Sequence, residues 1–469
     1  MKQNPPQRRL VATLGAVILI VSVMQTGFVP IVAAIATQLH VSAAAASWSV
    51  TANVLTSAAA TPLIGRLADL FNKKAVLLGM LALVLAGSLL GALTSSLPLL
   101  LLGRAIQGTS FALYPVAISI LREDLPGERL IRGIAALSMT LGLGGALGLL
   151  FTAFLMPEGA DYHRIFWLFA AMTAAVIVPV FLVVSNRPSG NPESVDWVGG
   201  AALAGGLSLL LLAITQGSEW GWARTATTVS AGLAVLGFWR HRNRRQAHPL
   251  VAPEMLTRRP VLLANVAGFL IGMGSYLSLL GLSTFAGYEF GTSVQAISLE
   301  IMLPGAIAGT VTALAAGRLI ERFGARPVLV AGALTGVIGF AVLAGRHTAP
   351  WELVLAAVLT NVYIGLAYGA LPALIIGDVE LGETAVANSL NGIFRKVGGA
   401  TGAAVVGAIL SPAGGGVPAA GAFLAVFVAG AITATAAIAV VCVGRVRATD
   451  RTGWTVRVLP LTAMRRVAA

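Results

Sequence analysis

Charged residues and cysteine are both scarce in this sequence. Asp, Glu, Lys and Arg make up 10% of its 469 residues, whereas a soluble domain carries about 25%. This composition excludes a water-soluble globule. Cys442 is the single cysteine, so no disulfide can form within the chain, and a zinc site that needs two or more thiolates is excluded as well.

Sequence motifs of enzymes are missing too. The chain has no His-Glu-x-x-His, no Gly-x-Ser-x-Gly and no Gly-x-x-x-x-Gly-Lys-Ser/Thr, which would indicate a metalloprotease, a serine hydrolase and a nucleotide-binding loop, respectively. Its five histidines lie near predicted loops or helix ends. We therefore expect neither an enzyme nor a bound cofactor or metal.

Long apolar runs are abundant. Hydrophobic residues make up 57% of the chain and its mean hydropathy is +0.87. Runs of about 20 residues, enough to cross a hydrocarbon core of about 30 Å, recur from residue 10 to residue 443. The pattern predicts an all-α polytopic membrane protein with fourteen transmembrane helices. They lie near 10–38, 45–69, 75–94, 97–121, 131–156, 163–185, 197–216, 222–239, 260–287, 295–317, 326–344, 351–376, 385–411 and 419–443.

The net charge of +13 indicates membrane topology. Basic residues lie in short segments between apolar runs and form no single basic face, so nucleic acid is not an expected partner. With a cytoplasmic N-terminus, only Arg164, Arg224 and Arg346 fall in outer segments, as the positive-inside rule requires. The cluster Arg240, Arg242, Arg244 and Arg245 is then cytoplasmic, and attraction of anionic lipid is its alternative role. We expect a multi-pass protein of a bacterial inner membrane with both termini in the cytoplasm.

One ten-residue turn occurs twice. Gly65–Lys74 follows the second predicted helix and Gly317–Arg326 follows the tenth, both on the predicted cytoplasmic side. Each turn follows the second helix of a six-helix group, which predicts two parallel halves, an arrangement typical of transporters. The predicted domains are an N-terminal half at 1–190, an inserted transmembrane hairpin and basic loop at 191–245, a C-terminal half at 246–444 and a basic tail at 445–469.

The two turns resemble the signature of the major facilitator superfamily, in which Gly-x-x-x-Asp precedes a basic residue, a Gly and a basic pair. The matching or adjoining residues are Gly65, Asp69, Lys73 and Lys74 in the first turn, and Gly317, Arg318, Glu321, Arg322, Gly324 and Arg326 in the second. Leu70 and Asn72 depart from the signature. The chain as a whole resembles the fourteen-helix drug:proton antiporter branch of the EmrB/QacA type. This resemblance implies the major facilitator fold and a role for the Asp69 turn as a latch of the inner gate.

The stretch Leu101–Gly108 resembles the second motif of the family, which carries an arginine within the membrane. A guanidinium at the centre of a membrane helix costs about 2.5–3.5 kcal/mol on insertion scales. We therefore expect Arg104 to face the bundle interior and, with an acidic partner, to link protonation to substrate. The alternative is an arginine that extends from a helix end to the interface.

The predicted helix 131–156 carries Gly144, Gly145 and Gly148, which resemble the antiporter signature of this family. The match is incomplete, because Gly145 replaces a proline and Leu149 replaces the last glycine. Small residues at this spacing allow two helices to approach closely. The resemblance implies packing against the counterpart helix of the other half, and generic close packing is the alternative.

Proton coupling requires a titratable acid within the membrane. Glu300, in an otherwise apolar part of the predicted helix 295–317, is the first candidate, because burial favours the protonated form of a carboxyl group. The alternative places Glu300 in water at the outer interface, where Glu289 is also expected. Many relatives in the resembled branch carry an Asp in the first helix at the position of Met24, so that acid is missing here.

Polar and aromatic residues at mid-helix depth are the candidates for a substrate cavity between the halves. They are Gln25, Asn53, Gln107, Tyr114, Tyr276, Asn361, Tyr363, Tyr368 and Asn391. A hydrogen bond between helices is the alternative role of each.

Together these patterns predict a secondary active transporter that exports hydrophobic or cationic drugs, antibiotics or a secondary metabolite by proton antiport with alternating access. The proton gradient is the expected energy source. The alternative is uptake or facilitated transport of a small metabolite. The expected partners are a small-molecule substrate, protons and membrane lipids, and we expect a monomer.

Overall fold

The computed structural model describes residues 5–125, 128–186, 196–246, 258–289, 291–345, 349–376, 384–410 and 420–443. These residues form helices joined by short turns, with no strand among them. Helix α1 comprises Pro5–Phe28, the 3-10 turn Val29–Ile31 and Val32–Gln38. The predicted all-α class is thus confirmed for the described part of the chain.

Twelve further helical segments follow α1. In the first part of the chain they are α2 (Ala43–Leu70), α3 (Lys73–Leu93), α4 (Leu97–Gly108, the 3-10 turn Thr109–Ala112 and Leu113–Asp124), α5 (Glu128–Leu155), α6 (His163–Val183) and α7 (Trp197–Asn243). In the second part they are α8 (Arg259–Glu289), α9 (Val294–Ala296, the π-helical turn Ile297–Met302 and Leu303–Phe323), α10 (Ala325–Ala344), α11 (Pro350–Ile376), α12 (Thr384–Ile409) and α13 (Ala420–Val443). Among the described residues, nine helices are long and apolar enough to cross a membrane. The count of fourteen spans stays a prediction.

Helix α7 folds back on itself at Gly221. This residue alone has a non-helical backbone within Trp197–Asn243, with φ 76° and ψ 164°, a conformation that glycine adopts at little cost. A Cβ added to Gly206 would lie 3.2 Å from the carbonyl oxygen of Gly232, so the two arms are antiparallel. The sequence predicted two helices separated by several turn residues, and the structure replaces that loop with a one-residue break.

An ion pair closes the open end of this hairpin. Asp196 begins α7 and accepts a hydrogen bond from the backbone N–H of Gly199 at 2.9 Å. Arg242, near the other end, donates from Nε to Asp196 Oδ1 at 2.8 Å. The hairpin packs against α2 and α12. It is therefore joined to both parts of the bundle.

The helices before and after the hairpin pack in the same pattern. In the first part, α1 contacts α5 and α6, α3 contacts α4 and α6, and α2 contacts α4. In the second part, α8 contacts α12 and α13, α10 contacts α11 and α13, and α9 contacts α11. Each helix of the first group thus has a counterpart in the second. The two groups meet where α2 packs on α12 and where α5 packs on α9, which are equivalent pairs under this repeat.

The predicted domain boundaries fall mostly outside the described residues. The boundary at 190/191 lies between the described ranges 128–186 and 196–246, and the tail at 445–469 follows the last described range. The boundary at 245/246 falls at the end of the described hairpin. These boundaries therefore stay predictions, while the packing of the helices supports the division into two halves.

The repeated turns are built in two different ways. The side-chain oxygen of Asn72 accepts hydrogen bonds from the backbone N–H groups of Lys74, at 2.9 Å, and Ala75, at 3.2 Å, which caps the start of α3. At the equivalent place in the second half, Gly324 adopts φ 84° between α9 and α10. The departure of Asn72 from the family signature is thus accommodated by a side-chain cap.

Glycines bring α5 close to α1. A Cβ added to Gly144 would lie 2.8 Å from the carbonyl oxygen of Leu19, and one added to Gly148 would lie 2.8 Å from that of Val23. Gly144 and Gly148 therefore face α1 of the same half, as generic close packing would have them. Gly142 approaches the other half, because a Cβ added to it would lie 3.0 Å from Cγ2 of Thr310 in α9. The role that the family resemblance implies for this helix stays a prediction.

The second half repeats this close packing between α12 and α8. A Cβ added to Gly398 would lie 2.0 Å from the carbonyl oxygen of Phe269, and one added to Gly402 would lie 2.5 Å from that of Met273. In both halves, two glycines one helical turn apart face two carbonyl oxygens one turn apart. The generic reading of these glycines, close packing within a half, agrees with this geometry.

Helices α1 and α8 meet where each ends, at what we call the distal end of the bundle. The hydroxyl of Ser283 donates to the carbonyl oxygen of Val29 at 3.4 Å. One turn further along both helices, a Cβ added to Gly287 would lie 3.4 Å from that of Ala33. The two helices therefore run parallel and join the two halves at the distal end. By the predicted topology, this end faces away from the cytoplasm.

Candidate functional site

Arg104 lies in the interior of the N-terminal half. This residue of α4 is only 2% exposed. Nε donates to the carbonyl oxygen of Ser49 at 3.1 Å, and Nη1 donates to Oε1 of Gln107 at 2.8 Å. The guanidinium also lies 3.7 Å from the ring centroid of Phe28. Arg104 thus faces the bundle interior, as expected, and does not extend to the interface.

The expected acidic partner of Arg104 is not found among the residues that the structure describes, where its partners are neutral. The physical reason is the placement of the chain's acids. The Asp and Glu residues that the structure describes lie near helix ends and breaks or in the turn between α5 and α6. A carbonyl oxygen, an amide oxygen and an aromatic face stabilise the buried cation instead.

Two of the predicted cavity residues belong to this arginine network. The amide of Asn53 donates to the carbonyl oxygen of Arg104 at 3.0 Å. The amide of Gln107 donates to Oγ of Ser88 at 2.9 Å. Both residues are buried and join α2, α3 and α4. Their interhelical hydrogen bonds correspond to the alternative role predicted for them.

A second group of cations lies at the junction of the two halves. Lys396 on α12 donates from Nζ to Oγ1 of Thr61 on α2 at 2.8 Å. The same Nζ lies 5.0 Å from the ring centroid of Phe111 on α4. The neighbouring Arg395 places its guanidinium 4.6 Å from the ring centroid of Tyr368 on α11. We call Lys396 and Arg395 the central cation pair.

The rings that face the central cation pair are equivalent in the two halves. Phe111 lies between Gly108 and Pro115 on α4, and Tyr368 lies at the same spacing between Gly365 and Pro372 on α11. Helices α4 and α11 are also counterparts in the packing pattern. Lys396 therefore contacts the aromatic ring of one half and Arg395 that of the other, so the pair lies between the halves. Both side chains are partly exposed.

Tyr276 on α8 lies close enough to both halves to sense charge in each. Its phenol is within electrostatic range of Arg104 of the first half and of Tyr368 of the second. Its ring packs on α12, where a Cβ added to Gly399 would lie 2.7 Å from Cε2. Tyr276 is partly exposed. It is the predicted cavity residue that the geometry places most clearly between the halves.

The remaining cavity candidates differ in exposure. Gln25, Tyr114, Asn361 and Tyr368 are partly exposed, whereas Tyr363 and Asn391 are buried. Asn391 donates to the carbonyl oxygen of Ala264 at 2.8 Å, which joins α12 to α8. Asn361 donates within its own helix, to Ala357, at 2.9 Å. The buried members stabilise helix packing, and the partly exposed members stay candidates for the cavity.

The two residues singled out for proton coupling, Glu300 and Met24, differ in exposure. Glu300 is exposed on the π-helical turn at Ile297–Met302 near the distal end, and it has no hydrogen bond or ion pair with the described residues. Met24 is buried in α1, 2% exposed. A π-helical turn frequently marks a functional position, so Glu300 stays a candidate for coupling.

The first repeated turn, Gly65–Lys74, contacts neighbouring helices through its lysines. Lys73 forms an ion pair with Glu123 at the end of α4. Nζ of Lys74 lies 4.8 Å from the ring centroid of Phe181 on α6. The side chain of Asp69 is outside the part of the chain that the structure describes, and Gly65 has open space at its Cβ position. The predicted latch at Asp69 therefore stays a prediction.

The second repeated turn, Gly317–Arg326, is more exposed to solvent. Arg318, Glu321 and Arg322 are all exposed. The guanidinium of Arg322 lies 5.1 Å from the ring centroid of Phe323. Basic side chains thus surround the turn between α9 and α10, as they surround the one between α2 and α3.

The sequence analysis assigned no role to Arg395 and Lys396 on α12. The signal that could have identified these residues was their depth. Two adjacent cations more than ten residues from either end of α12 (Thr384–Ile409) need partners inside the bundle.

Comparison with known proteins identifies one family along nearly the whole chain. The Major Facilitator Superfamily profile matches residues 14–263 and 264–464. The Uridine/deoxyuridine transporter of Lactococcus lactis is 26% identical over 360 residues, which cover 73% of this chain and 74% of that protein. The Probable actinorhodin transporter of Streptomyces coelicolor is 28% identical over 427 residues, which cover 86% and 73%.

A solved structure shares the fold. A bacterial homologue of the human lysosomal transporter Spinster, in an inward-facing and occupied conformation, aligns with a TM-score of 0.69 at 14% identity, covering 94% of this chain and 97% of that one. The profile matches both halves of the sequence, and the helices of both halves pack alike. The chain therefore belongs to the Major Facilitator Superfamily and is a membrane transporter.

Proposed function

We propose that this protein is a secondary active exporter of a hydrophobic organic compound, of the drug, antibiotic or secondary-metabolite kind, and that it works by alternating access. The observation that carries the proposal is the central cation pair. Lys396 of the second half binds Thr61 of the first half, so polar side chains from both halves meet in mid-bundle. Rocking of the halves about this centre would expose it to the two sides of the membrane in turn.

Several features support export. The relative named as an actinorhodin transporter covers most of the chain. The sequence resembles the fourteen-helix drug:proton antiporter branch in its paired turns and in the arginine motif of α4. The contact between Ser283 and Val29 joins the halves at the distal end, and the proposed substrate enters from the other end, which is cytoplasmic by the positive-inside rule. We place the protein in a bacterial inner membrane, as a monomer with both termini in the cytoplasm.

Proton antiport is the proposed energy source. One proton that crosses about 150 mV supplies roughly 3.5 kcal/mol, enough for a several-hundred-fold gradient of a neutral substrate. Glu300 is the proposed proton carrier, since it is the acid that lies deepest in a described helix by sequence position. The Asp69 turn is the proposed latch of the cytoplasmic gate.

Uptake or facilitated transport of a small metabolite is the second candidate. Two observations favour it: the buried Met24 at the position where many relatives carry an acid, and the similarity to a uridine/deoxyuridine transporter. In this case the substrate's own gradient would supply the energy.

Transport in inverted membrane vesicles distinguishes the two candidates. A pH-sensitive dye reports proton movement while lipophilic cations, aromatic anions, neutral antibiotics and nucleosides are added one at a time. We expect substrate-dependent proton release that is lost in Arg104→Gln and retained in Arg240→Gln, which removes one exposed cation from the hairpin. Accumulation of a compound only in right-side-out vesicles would refute export and favour uptake.

A further inference from the structure

In the part of the chain that the structure describes, the middle of the bundle carries cations and no acid. Arg104, Arg395 and Lys396 each lie at least seven residues from the ends of their helices. Among the described acids, Glu300 is furthest from a helix end, six residues into α9, and it is exposed near the distal end. The other described acids lie within two residues of a helix end or break, or in the turn between α5 and α6. None of these described acids is therefore placed to neutralise the centre.

The central cation pair has unused hydrogen-bonding capacity. A lysine ammonium has three donors, and in the described structure Lys396 uses one of them, to Thr61. Nε of Arg395 is buried and has no hydrogen-bond partner among the described residues. Buried donors without acceptors cost about 1–3 kcal/mol each, and more when charged. An anion that binds between these two side chains would satisfy both.

Apolar and aromatic groups surround the same place. The rings of Phe111 and Tyr368 lie beside the two cationic side chains. A ligand here would meet a lysine, an arginine and two aromatic rings. A cationic ligand would be repelled by the uncompensated charges, because like charges in a low-dielectric interior interact strongly.

We propose that the substrate of the central site is an organic anion with a flat apolar body, whose negative group binds between Lys396 and Arg395. This inference rests on the proposed transport function and narrows its substrate class. It replaces the cationic drugs expected from the family resemblance. Arg104 does not contact the anion in this arrangement, and its charge adds to the positive field of the site.

The charge of the substrate also determines whether transport requires an acid within the membrane, such as the one that Met24 replaces. An anion that leaves a cell with a negative interior moves down the membrane potential, which favours export about 50-fold per charge for each 100 mV. An anion exchanged for one proton moves two charges in each cycle, and an anion exported alone moves one. Export of an anion therefore needs no carboxylate in mid-membrane.

A matched pair of dyes tests the substrate class. Fluorescein and rhodamine 6G share a xanthene ring system but carry opposite charges at pH 7.5. With the purified full-length protein, we expect saturable binding of fluorescein by fluorescence anisotropy and at least tenfold weaker binding of rhodamine 6G. Lys396→Gln should weaken fluorescein binding about tenfold, the loss of one hydrogen bond to a charged group. Arg240→Gln should change it less than about threefold, since it leaves the central charge in place. Lys396→Arg, which keeps that charge, should bind fluorescein more tightly than Lys396→Gln does.

A second variant keeps Lys396 and gives it an acidic neighbour. Thr61→Glu places a carboxylate beside Nζ, and this carboxylate competes with the substrate anion. We expect at least tenfold weaker fluorescein binding in Thr61→Glu and near-normal binding in the neutral Thr61→Gln. Tighter binding of rhodamine 6G than of fluorescein, no saturable fluorescein binding, or unchanged fluorescein binding in folded Lys396→Gln and Thr61→Glu would each overturn the proposal.

Vesicle transport separates this inference from the proposed function. Accumulation of fluorescein in inverted vesicles, increased by a potential positive inside them, supports both. Accumulation of rhodamine 6G there would preserve export and refute an anionic substrate. Movement of fluorescein only into right-side-out vesicles would preserve the anion site and refute export.

Discussion

Insertion of a methyl group at Gly398 should separate α12 from α8. A Cβ at this position would lie 2.0 Å from the carbonyl oxygen of Phe269 and 2.8 Å from its carbonyl carbon. Both are backbone atoms, so no side-chain rotation can relieve the clash and one helix must shift. Overpacking of this kind costs about 1–3 kcal/mol. Close Cα–H···O contacts between the two helices would also be weakened.

Gly79→Ala is the matched control. Gly79 lies on an exposed face of α3, and an added Cβ would meet nothing within 4 Å. Alanine is favoured over glycine within a helix by up to about 1 kcal/mol. We therefore expect effects of opposite sign: Gly398→Ala lowers the midpoint of thermal unfolding in detergent, and Gly79→Ala leaves it unchanged or raises it.

Loss of the monodisperse size-exclusion peak on heating gives these midpoints. Gly148→Ala extends the test to the equivalent contact in the first half, where the added Cβ would lie 2.8 Å from the carbonyl oxygen of Val23. An unchanged midpoint in both Gly398→Ala and Gly148→Ala would refute the close approach of these helix pairs. A lower midpoint for Gly79→Ala would refute the interpretation that the other two act through the clash.

Variants at three further residues probe other contacts. Arg104→Gln leaves the carbonyl oxygen of Ser49 without the donor that it has in the wild type. We expect a loss of about 1–3 kcal/mol in the free energy of unfolding and a smaller loss in Arg104→Lys. Thermal unfolding in detergent measures both. Asp196→Asn weakens the bond to Arg242 that closes the hairpin, and because Arg242 is partly exposed, we expect a loss of no more than about 1 kcal/mol in the same assay. Burial, aided by the charge of Asp161, raises the pKa of Tyr162 to about 12. The neutral phenol therefore stabilises the fold fully below its ordinary pKa of about 10, and this stabilisation is lost as the pH rises through the folded-state pKa. Between pH 10 and 12, the midpoint of thermal unfolding should therefore fall more for the wild type than for Tyr162→Phe.

The course of the helices could be predicted from the apolar runs. The run at 163–185 corresponds to His163–Val183, and the run at 419–443 corresponds to Ala420–Val443. A membrane-spanning helix requires a run of nearly fixed length, so its position can be read directly from hydropathy. The repeated turns likewise predicted a division that the packing of α1–α6 and α8–α13 supports.

The partners of buried charges could not be predicted in this way. The guanidinium of Arg104 was expected to need an acid, and the described structure gives it the carbonyl oxygen of Ser49 and the amide of Gln107. Every residue has a carbonyl group, so the sequence does not reveal which of them will accept a hydrogen bond. The contact between Lys396 and Thr61 depends on the angle at which α12 packs on α2, which hydropathy does not determine.

The glycines illustrate the same limit. Their spacing in α5 indicated close packing but not the neighbour. Gly144 and Gly148 face α1, whereas Gly142, on another face of the helix, approaches Thr310 of the other half. A change of two residues along a helix turns the contact surface by more than half a turn.

A reversible cross-link at the distal end tests most directly whether the substrate passes between two rocking halves. In a Cys442→Ser background, Ala33→Cys and Gly287→Cys place two Cβ atoms about 3.4 Å apart, close to the separation found in disulfides. We expect oxidation to stop dye accumulation in inverted vesicles, a reducing agent to restore it, and the cross-linked protein to retain fluorescein binding. Undiminished transport by fully cross-linked protein would contradict alternating access between the halves.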